Sequence, residues 1–377
     1  MSWFPNMKDL QLKIQKNFPL SRLTTFRIGG PAKYFVEVKT PEALVAALVF
    51  SKKEKVPFMI LGGGSNMLVS DSGFAGLVIV MRMKGFKTEK DTKDCAWVRV
   101  ASGEVWDNTV AHFVKNKLWG AENMSLVPGT TGAAAVQNVE CYGQQTEDVV
   151  ESVRVYDTKT EEVKDIPKKE CKFRYRRSIF NYEEKGRYII LSTLFKLKKH
   201  GKPIVTYPDV IKYFEEHKTV KPSLESLRKA IIYIRKHKLP DPKFVGNSGS
   251  FFKNVYLQEN EYTKFRKKAS KYFDAADMKK MEELKARFIS EKGIKIPTAF
   301  LIDACKLRGS KFGGAQIHER QVLVLINATG HAKAHDVMML VKKIRQTVYK
   351  KTGMKIFPEP ELIGFTKKEL AKYFALR

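Results

Sequence analysis

Cysteine is scarce in this chain of 377 residues, and its placement follows no known pattern. The four cysteines, Cys95, Cys141, Cys171 and Cys305, form no C-x-x-C pair, which is the spacing typical of zinc sites. A disulfide framework is also not expected, because such frameworks occur mainly in small secreted domains that are dense in cysteine. We therefore expect four reduced thiols and no metal site.

Long apolar runs are absent as well. No run approaches the roughly 20 residues that a membrane helix needs, and the apolar stretch Ala43–Phe50 predicts a short buried helix. The N-terminal residues Met1–Pro5 show no basic segment followed by an apolar one, so no secretory signal is visible. These features favour a cytoplasmic protein that does not insert into membranes.

Acidic residues are few, since 40 Asp and Glu face 69 Lys and Arg, for a net charge of +29. One interpretation is nucleic-acid binding, and the other is a lysine-rich surface with clefts for phosphorylated ligands. The basic residues are spread along the chain, without a basic tail or a zinc-finger or RNP-type motif. The second interpretation is favoured, so no nucleic-acid partner is expected.

The length exceeds one typical core and predicts two or three domains. Alternating apolar patterns predict strands at Lys33–Val38, Phe58–Leu61, Gly76–Met81, Trp97–Ala101, Val149–Tyr156, Tyr188–Phe195 and Val322–Asn327. Helical patterns and caps predict helices at Pro41–Ser51, Val105–Lys117, Ser223–Lys236, Asp277–Glu291 and His335–Lys350. Thr40 is the predicted N-cap of the first helix, with Pro41 at its first position. A boundary is expected near Lys238–Pro242.

Two glycine-rich segments suggest binding of phosphate groups. Gly62, Gly63, Gly64, Ser65 and Asn66 follow a predicted strand, and their backbone N–H groups can approach an anion closely. The segment lacks both the G-K-[ST] ending of a Walker loop and the G-x-G-x-x-G dinucleotide pattern. A plain turn remains the alternative for this segment alone.

The second glycine-rich segment contains Gly129, Thr130 and Gly132 and is followed by Asn138. Two small-residue loops in a strand-rich half could clamp a pyrophosphate from opposite sides. The stretch Thr25–Gly30 supplies a third such segment, with the cation of Arg27 beside it.

Three polar residues lie far apart in the sequence but suit one chemistry. Ser250 lies between Gly249 and two phenylalanines, a setting in which a hydroxyl can be held as a proton donor away from water. Arg176 and Glu361 lie in Tyr175–Ser178 and Pro358–Glu361. Together they are the groups needed to add a hydride and a proton across a polarised double bond.

With these motifs in view, the chain resembles the UDP-N-acetylenolpyruvoylglucosamine reductase family from about Leu20 to Gly364. The segments that carry the resemblance are Thr25–Gly30, Leu61–Asn66, Pro128–Gly129, Gln137–Asn138, Phe173–Arg176, Leu239–Lys243, Gly249–Asn254, Leu301–Asp303 and Gly313–Ala315. Each segment is weak alone, but their order and spacing together are specific.

The resemblance implies an α+β fold. It consists of a two-lobed FAD-binding domain of the vanillyl-alcohol-oxidase flavoprotein type and a C-terminal α+β substrate-binding domain. We expect the first lobe at 1–75, the second at 76–220, the substrate domain at 221–364 and a C-terminal tail at 365–377. The stretch Thr206–Asp209 followed by helices matches the longer subtype, in which a tyrosine-bearing loop closes over the sugar nucleotide.

The resemblance also implies the reaction and its residues. NADPH reduces FAD, and the enolpyruvyl ether of UDP-N-acetylglucosamine-enolpyruvate then takes a hydride from the flavin and a proton, giving UDP-N-acetylmuramate for peptidoglycan synthesis. Arg176 and Glu361 would stabilise the enolate, while Ser250 would donate the proton. Glu359 is rejected in favour of Glu361 on its spacing before Leu362-Ile363-Gly364.

Tyr207, Lys238 and Asn254 match substrate-contact positions, and Gly62–Asn66, Gly129, Thr130, Gly132 and Asn138 match the cofactor loops. A monomer is expected, and His318 is interpreted as a packing or hydrogen-bonding residue.

The sequence departs from the family pattern in three places. They are Val255 after Asn254, Arg177 where an acid is common, and Glu140-Cys141 where small residues are usual. Two other functions stay open from the residues alone, a different flavin oxidase or dehydrogenase and a basic nucleic-acid-binding protein.

Overall fold

The computed structural model describes residues 12–290 and 293–376. These residues form two compact units that do not follow sequence order. The first unit contains the chain up to Phe18, Ala32–Gly64 and Ala75–His237. The second contains Pro19–Pro31, Ser65–Phe74 and the chain from Lys238 onward, so two short early segments belong to the C-terminal unit.

The elements are numbered separately for strands and helices. The strands are β1 (Gln15–Pro19), β2 (Pro31–Val38), β3 (Phe58–Leu61), β4 (Met67–Val69), β5 (Phe74–Met81), β6 (Phe86–Asp91), β7 (Cys95–Ala101), β8 (Glu140–Cys141), β9 (Gln144–Gln145), β10 (Val150–Asp157), β11 (Glu162–Pro167), β12 (Tyr188–Lys198), β13 (Asn247–Ser250), β14 (Val255–Leu257), β15 (Ile289–Ser290), β16 (Gly293–Ile296), β17 (Lys311–Phe312), β18 (Ala315–Ile317), β19 (Val324–Asn327) and β20 (Glu361–Ile363). The helices are α1 (Pro41–Lys53), α2 (Trp106–Lys115), α3 (Thr131–Gln137), α4 (Thr146–Val149), α5 (Pro208–Glu216), α6 (Leu224–Lys238), α7 (Glu259–Ala269), α8 (Ala275–Arg287), α9 (Thr298–Ala304), α10 (Ala334–Thr352) and α11 (Lys367–Phe374).

The first unit is built on two sheets. One has the strand order β1-β2-β5-β3, and the other is antiparallel with the order β11-β10-β12-β7-β6. Two apolar clusters form its core. The cluster around Trp106 and Phe195 lies on the antiparallel sheet, and the cluster around Val36, Leu44 and Ile79 also takes in Tyr156 and Leu191 from that sheet. The strand-rich pattern predicted for this half follows from these buried β-branched and aromatic positions.

The second unit combines small sheets with the long helix α10. Its sheets have the orders β13-β19-β18-β17, β14-β16-β15 and β20-β4. Its core contains Phe251, Phe252 and the apolar face of α10, and the early residues Phe26 and Leu68 belong to this same core. The β20-β4 pair is parallel, with Glu361 opposite Met67.

The predicted strands and longer helices are present with small shifts of their ends. The Thr40 side chain accepts a hydrogen bond from the Ala43 backbone N–H at 3.2 Å, which confirms the predicted cap of α1. The helix predicted to reach Glu291 ends at Arg287, because β15 follows directly, and Glu291 itself lies outside the described residues.

Two further segments differ from their expected conformation. The segment expected to be a glycine-rich loop as far as Ala133 becomes helix α3 at Thr131, because Thr130 caps the first turn by accepting from the Ala133 N–H at 3.4 Å. The tail expected at 365–377 contains α11. The domain bounds predicted from the sequence remain a prediction.

Candidate active site

The two glycine-rich segments of the first unit touch each other. A Cβ atom added to Gly62 would lie 2.7 Å from the Thr130 hydroxyl, and one added to Gly63 would lie 2.7 Å from the Gly129 Cα. Gly64 and Gly129 have φ values of 61° and 121°, which side chains other than glycine rarely adopt. Side chains are therefore excluded here, and two bare backbone segments lie side by side.

The surroundings of these segments also suit a phosphate-bearing cofactor. A Cβ atom on Gly132 would lie 2.9 Å from the Ser102 Cβ. The Ser102 hydroxyl is buried and has no hydrogen-bond partner within residues 12–290 and 293–376, although buried hydroxyls normally have one. The glycine backbone and this orphaned hydroxyl together fit the pyrophosphate of a dinucleotide.

Asn138 ends α3 in the left-handed conformation, with φ of 42°. Its side-chain amide donates to the Glu147 carboxylate at 2.6 Å and to the Arg174 carbonyl at 3.2 Å, while its oxygen accepts from the Glu147 N–H at 3.0 Å. Asn138 therefore holds the end of α3 against the turn that carries Arg176. Its predicted contact with the cofactor stays a prediction.

Arg176 lies on a tight turn, with φ of 56°, and its side chain is mostly buried. Its Nη1 atom is 3.7 Å from a carboxylate oxygen of Glu140, and its guanidinium lies 5.0 Å from the centre of the Tyr175 ring. The departure from the family pattern at Glu140 thus places an acid beside the arginine proposed for catalysis.

Tyr207 directly precedes α5 and is partly exposed. Its ring meets the Tyr142 ring edge to face, with centroids 5.5 Å apart. The Tyr142 carbonyl and the Ile204 carbonyl both accept from the Asn123 side chain, at 2.7 and 3.0 Å. Tyr207, the predicted substrate tyrosine, therefore packs against a hydrogen-bonded part of the first unit. Burial raises the pKa of the Tyr142 hydroxyl.

Helix α6 is held within the first unit by two arginines that the sequence analysis missed. Arg228 forms a bidentate pair with Asp107 at 2.7 and 3.1 Å. Arg235, two turns later, donates to the Cys141 sulfur at 3.2 Å. Their spacing of seven residues puts them on one face of the helix, which is the signal that could have found them.

Burial affects the ionisation of the groups that meet α6. Burial favours the neutral form of Asp107, but the hydrogen bonds from Arg228 and the Leu126 N–H outweigh it and lower the pKa of this carboxyl. Burial raises the pKa of the Cys141 thiol despite the nearby Arg235 cation. Cys141 is therefore a neutral acceptor for Arg235 rather than a reactive thiolate.

The second unit brings Ser250 and Glu361 to the same end of one strand pair. The Glu359 N–H donates to the Phe251 carbonyl at 2.9 Å, and the Lys253 N–H donates to the Phe357 carbonyl at 3.0 Å. The pairing is antiparallel and is centred on the bridge between Phe252 and Pro358. Ser250, which precedes it, and Glu361, which follows it, therefore lie at the same end of the paired strands. Both residues are half-buried, and the adjacent Phe251 and Phe252 are fully buried.

Asn66 holds the strand that carries Glu361. Its carbonyl accepts from the Glu361 N–H at 3.0 Å, and its side-chain amide donates to the Glu359 carbonyl at 3.4 Å. Ser65 and Asn66 therefore belong to the second unit, whereas Gly62, Gly63 and Gly64 belong to the first. One continuous glycine motif thus supplies backbone to both units.

The remaining predicted residues have local roles in the structure. The Asn254 side-chain oxygen accepts from the Thr298 N–H at the start of α9, at 3.2 Å. Lys238 is the exposed last residue of α6. His318 accepts from the Gln321 N–H at 3.2 Å and burial lowers its pKa, which confirms its interpretation as a hydrogen-bonding residue.

Comparisons with known proteins agree with this geometry. A family model described as an FAD binding domain matches residues 32–166. A second, for the C-terminal domain of UDP-N-acetylenolpyruvoylglucosamine reductase, matches residues 241–363. These two matches define the chain as an FAD-containing oxidoreductase and confirm the expected α+β class, with a flavin domain followed by a C-terminal domain.

The full-length relatives identify the family. UDP-N-acetylenolpyruvoylglucosamine reductase from Flavobacterium johnsoniae is 37% identical over 93% of this chain and 100% of its own length. The enzyme of that name from Neisseria meningitidis serogroup B is 34% identical over 90% of this chain and 95% of its own. The chain therefore belongs to the UDP-N-acetylenolpyruvoylglucosamine reductase family, as the resemblance implied.

A solved structure supports the same fold. The crystal structure of UDP-N-acetylenolpyruvylglucosamine reductase from Thermus caldophilus is similar with a TM-score of 0.62 and 21% identity, covering 94% of this chain and 99% of that one.

Among the described residues, no helix is both long and apolar enough to cross a bilayer.

Proposed function

We propose that this chain uses NADPH to reduce the enolpyruvyl ether of UDP-N-acetylglucosamine-enolpyruvate to UDP-N-acetylmuramate, a step in peptidoglycan precursor synthesis. The observation that carries the proposal is the backbone pairing that brings Ser250 and Glu361 to one end of a strand pair, inside the region matched by the reductase C-terminal domain. Membership of the reductase family supports the same substrate class.

The chain would bind FAD through Gly62–Asn66, Gly129, Thr130, Gly132 and Asn138. When bound and reduced by NADPH, FAD would supply the hydride for the terminal vinyl carbon of the substrate. Bare glycine backbone and the orphaned Ser102 hydroxyl support this assignment.

Arg176 would hold the substrate carboxylate as negative charge develops on it. A guanidinium suits this role because it stays charged and offers a planar fork of donors. Glu361 would help to orient the same acid, and the Ser250 hydroxyl would donate the proton to the carbon next to the carboxylate. Burial of Phe251 and Phe252 supports limited access of water around Ser250.

Tyr207, Lys238 and Asn254 would bind the sugar nucleotide. The lysine ammonium suits a diphosphate as a point charge, and Tyr207 is presented by the start of α5 against Tyr142. A monomeric, cytoplasmic enzyme without a nucleic-acid partner is part of the same proposal, and size-exclusion chromatography tests the monomer.

Anaerobic stopped-flow spectroscopy tests the function in two steps. The purified yellow protein is mixed first with NADPH and then with the enolpyruvyl nucleotide, while the absorbance of the oxidised flavin is followed. We expect bleaching in the first step and recovery in the second, with UDP-N-acetylmuramate as product. Recovery with oxygen but not with the nucleotide would indicate a different flavin oxidase, and a colourless protein would contradict the proposal altogether.

A further inference from the structure

A buried arginine in the second unit has no assigned role. Arg345 lies in the middle of α10 and is only 4% exposed. Within residues 12–290 and 293–376 its hydrogen bonds go to two backbone carbonyls, from Nε to Ile356 and from Nη1 to Phe374, both at 2.9 Å. Burial lowers its pKa, yet a guanidinium remains charged in proteins. A buried cation is costly unless it is hydrogen-bonded. Loss of either carbonyl contact would leave the charge less compensated, so both carbonyls are held in place.

The first carbonyl begins the segment that leads to the proposed catalytic residue Glu361. Ile356 is followed by Phe357 and Glu359, whose backbone groups pair with Lys253 and Phe251. The segment then enters β20 at Glu361. Fixing Ile356 therefore fixes the register of the strand pair from which Ser250 and Glu361 project.

The second carbonyl ends α11, which lies beyond the region matched by the family domain. The Phe374 ring lies 4.5 Å from the Arg345 guanidinium. The Tyr373 hydroxyl is 2.8 Å from His335 Nδ1, and the Gln346 side chain donates to the Ala375 carbonyl at 3.3 Å. The C-terminal segment is thus fastened along α10 rather than trailing from it.

We propose that Arg345 is a positioning residue for the reduction step, and that α11 is the support that keeps it in place. Arg345 ties the end of α11 to Ile356 and thereby sets the position of Ser250 and Glu361. This inference rests on the function proposed above. It assigns α11 and Ala375 to the support of the active site.

Arg345→Lys tests the inference by half-reactions. Lysine keeps the charge, but its single ammonium lacks the planar fork of donors with which Arg345 binds the Ile356 and Phe374 carbonyls together. We expect the recovery step with the enolpyruvyl nucleotide to slow by about tenfold, while flavin reduction by NADPH stays within about twofold of the wild type. Lys343→Ala is the matched control, because it changes an exposed residue of the same helix and leaves both Arg345 contacts in place, and it should behave as the wild type. Equal rates for Arg345→Lys and the wild type would overturn the inference.

Hydrogen exchange of the unmodified protein provides a test that needs neither turnover nor a folded variant. In low concentrations of denaturant, we expect the amides of α11 and those of Lys253, Glu359 and Glu361 to become exposed in one common opening. If α11 opens while Glu359 and Glu361 stay protected, the support does not exist. A wild type that fails to reduce the nucleotide would contradict the proposed function but leave this measurement decisive.

Discussion

At the scale of single residues, Ser250 carries the most specific chemical claim. A serine hydroxyl is a weak acid, so its use as a proton donor requires a fixed position and limited access of water. Ser250 lies opposite Val324 of β19 and is followed by two fully buried phenylalanines, which supports the fixed position that the proposed role needs. Arg176 is fixed differently, by a strained turn and an adjacent acid.

Ser250→Ala separates the two halves of the reaction. The variant loses only the hydroxyl, so we expect flavin reduction by NADPH to remain near normal and the step with the enolpyruvyl nucleotide to slow by at least about 10³-fold, or roughly 4 kcal/mol of barrier. Stopped-flow traces of the two steps make the comparison. Ser270→Ala is the control, since it removes the hydroxyl of an exposed serine in the same unit. Equal losses in both steps would remove Ser250 from proton donation.

Residue roles were only partly readable from the sequence. The grouping of Ser250 with Glu361 depends on a register between distant strands, which local patterns do not encode. Asn138 and Asn254 lie in the expected motifs, and in the structure their side chains hydrogen-bond next to the end of α3 and at the start of α9. Their predicted contacts with cofactor and substrate stay predictions. Arg345 was missed because an arginine in a long amphipathic helix is usually taken for an exposed position.

At the scale of elements, α6 depends on the pair formed by Asp107 and Arg228. Asp107→Asn keeps the shape but removes the charge, and we expect a loss of about 1–2 kcal/mol in the free energy of unfolding of the first unit at neutral pH. Chemical denaturation of both proteins measures it. Asp94→Asn, an exposed acid on the loop before β7, is the control.

The pair of Asp107 and Arg228 also predicts how the free energy of unfolding changes with pH. Because the pKa of Asp107 is lower in the folded state, its contribution is fully present above the unfolded value of about 4 and is lost as pH falls through the lower folded value. The difference between wild type and Asp107→Asn should therefore be constant from about pH 8 to 5 and shrink below about pH 4. A difference that grew in acid would show that the pair does not stabilise the fold.

The longer strands and most of the longer helices followed from periodicity and caps, as for α1 with Thr40 and for β5, β10 and β12 of the first unit. The edge strands β1, β6 and β11 and helix α7 were missed. Helix α3 escaped because its glycine and alanine residues carry no amphipathic pattern, and only the Thr130 cap indicates its start. The small strands β13 and β20 depend on tertiary partners, so no local signal defines them.

At the scale of the whole molecule, the net charge of +29 should act on the encounter with anionic ligands. Long-range attraction raises association rates and is screened by salt. We expect kcat/KM for the enolpyruvyl nucleotide to fall by about three- to tenfold between roughly 50 and 500 mM NaCl, with kcat changed by less than about twofold. Steady-state kinetics at several ionic strengths measure it, with sodium acetate replacing NaCl to separate screening from chloride binding. A flat kcat/KM would show that the charge has no part in the encounter.

The second unit combines segments that lie far apart in the sequence, and this affects how it folds during synthesis on the ribosome. Phe26, Leu68 and β4 emerge early, but their partners in the core and in β20 are made only at the other end of the chain. These early segments must wait for more than half of translation before their native contacts exist. The C-terminal region accordingly does not contain its whole core. If recombination exchanged this region alone between distant relatives, its core would meet Phe26 and Leu68 equivalents from a different sequence.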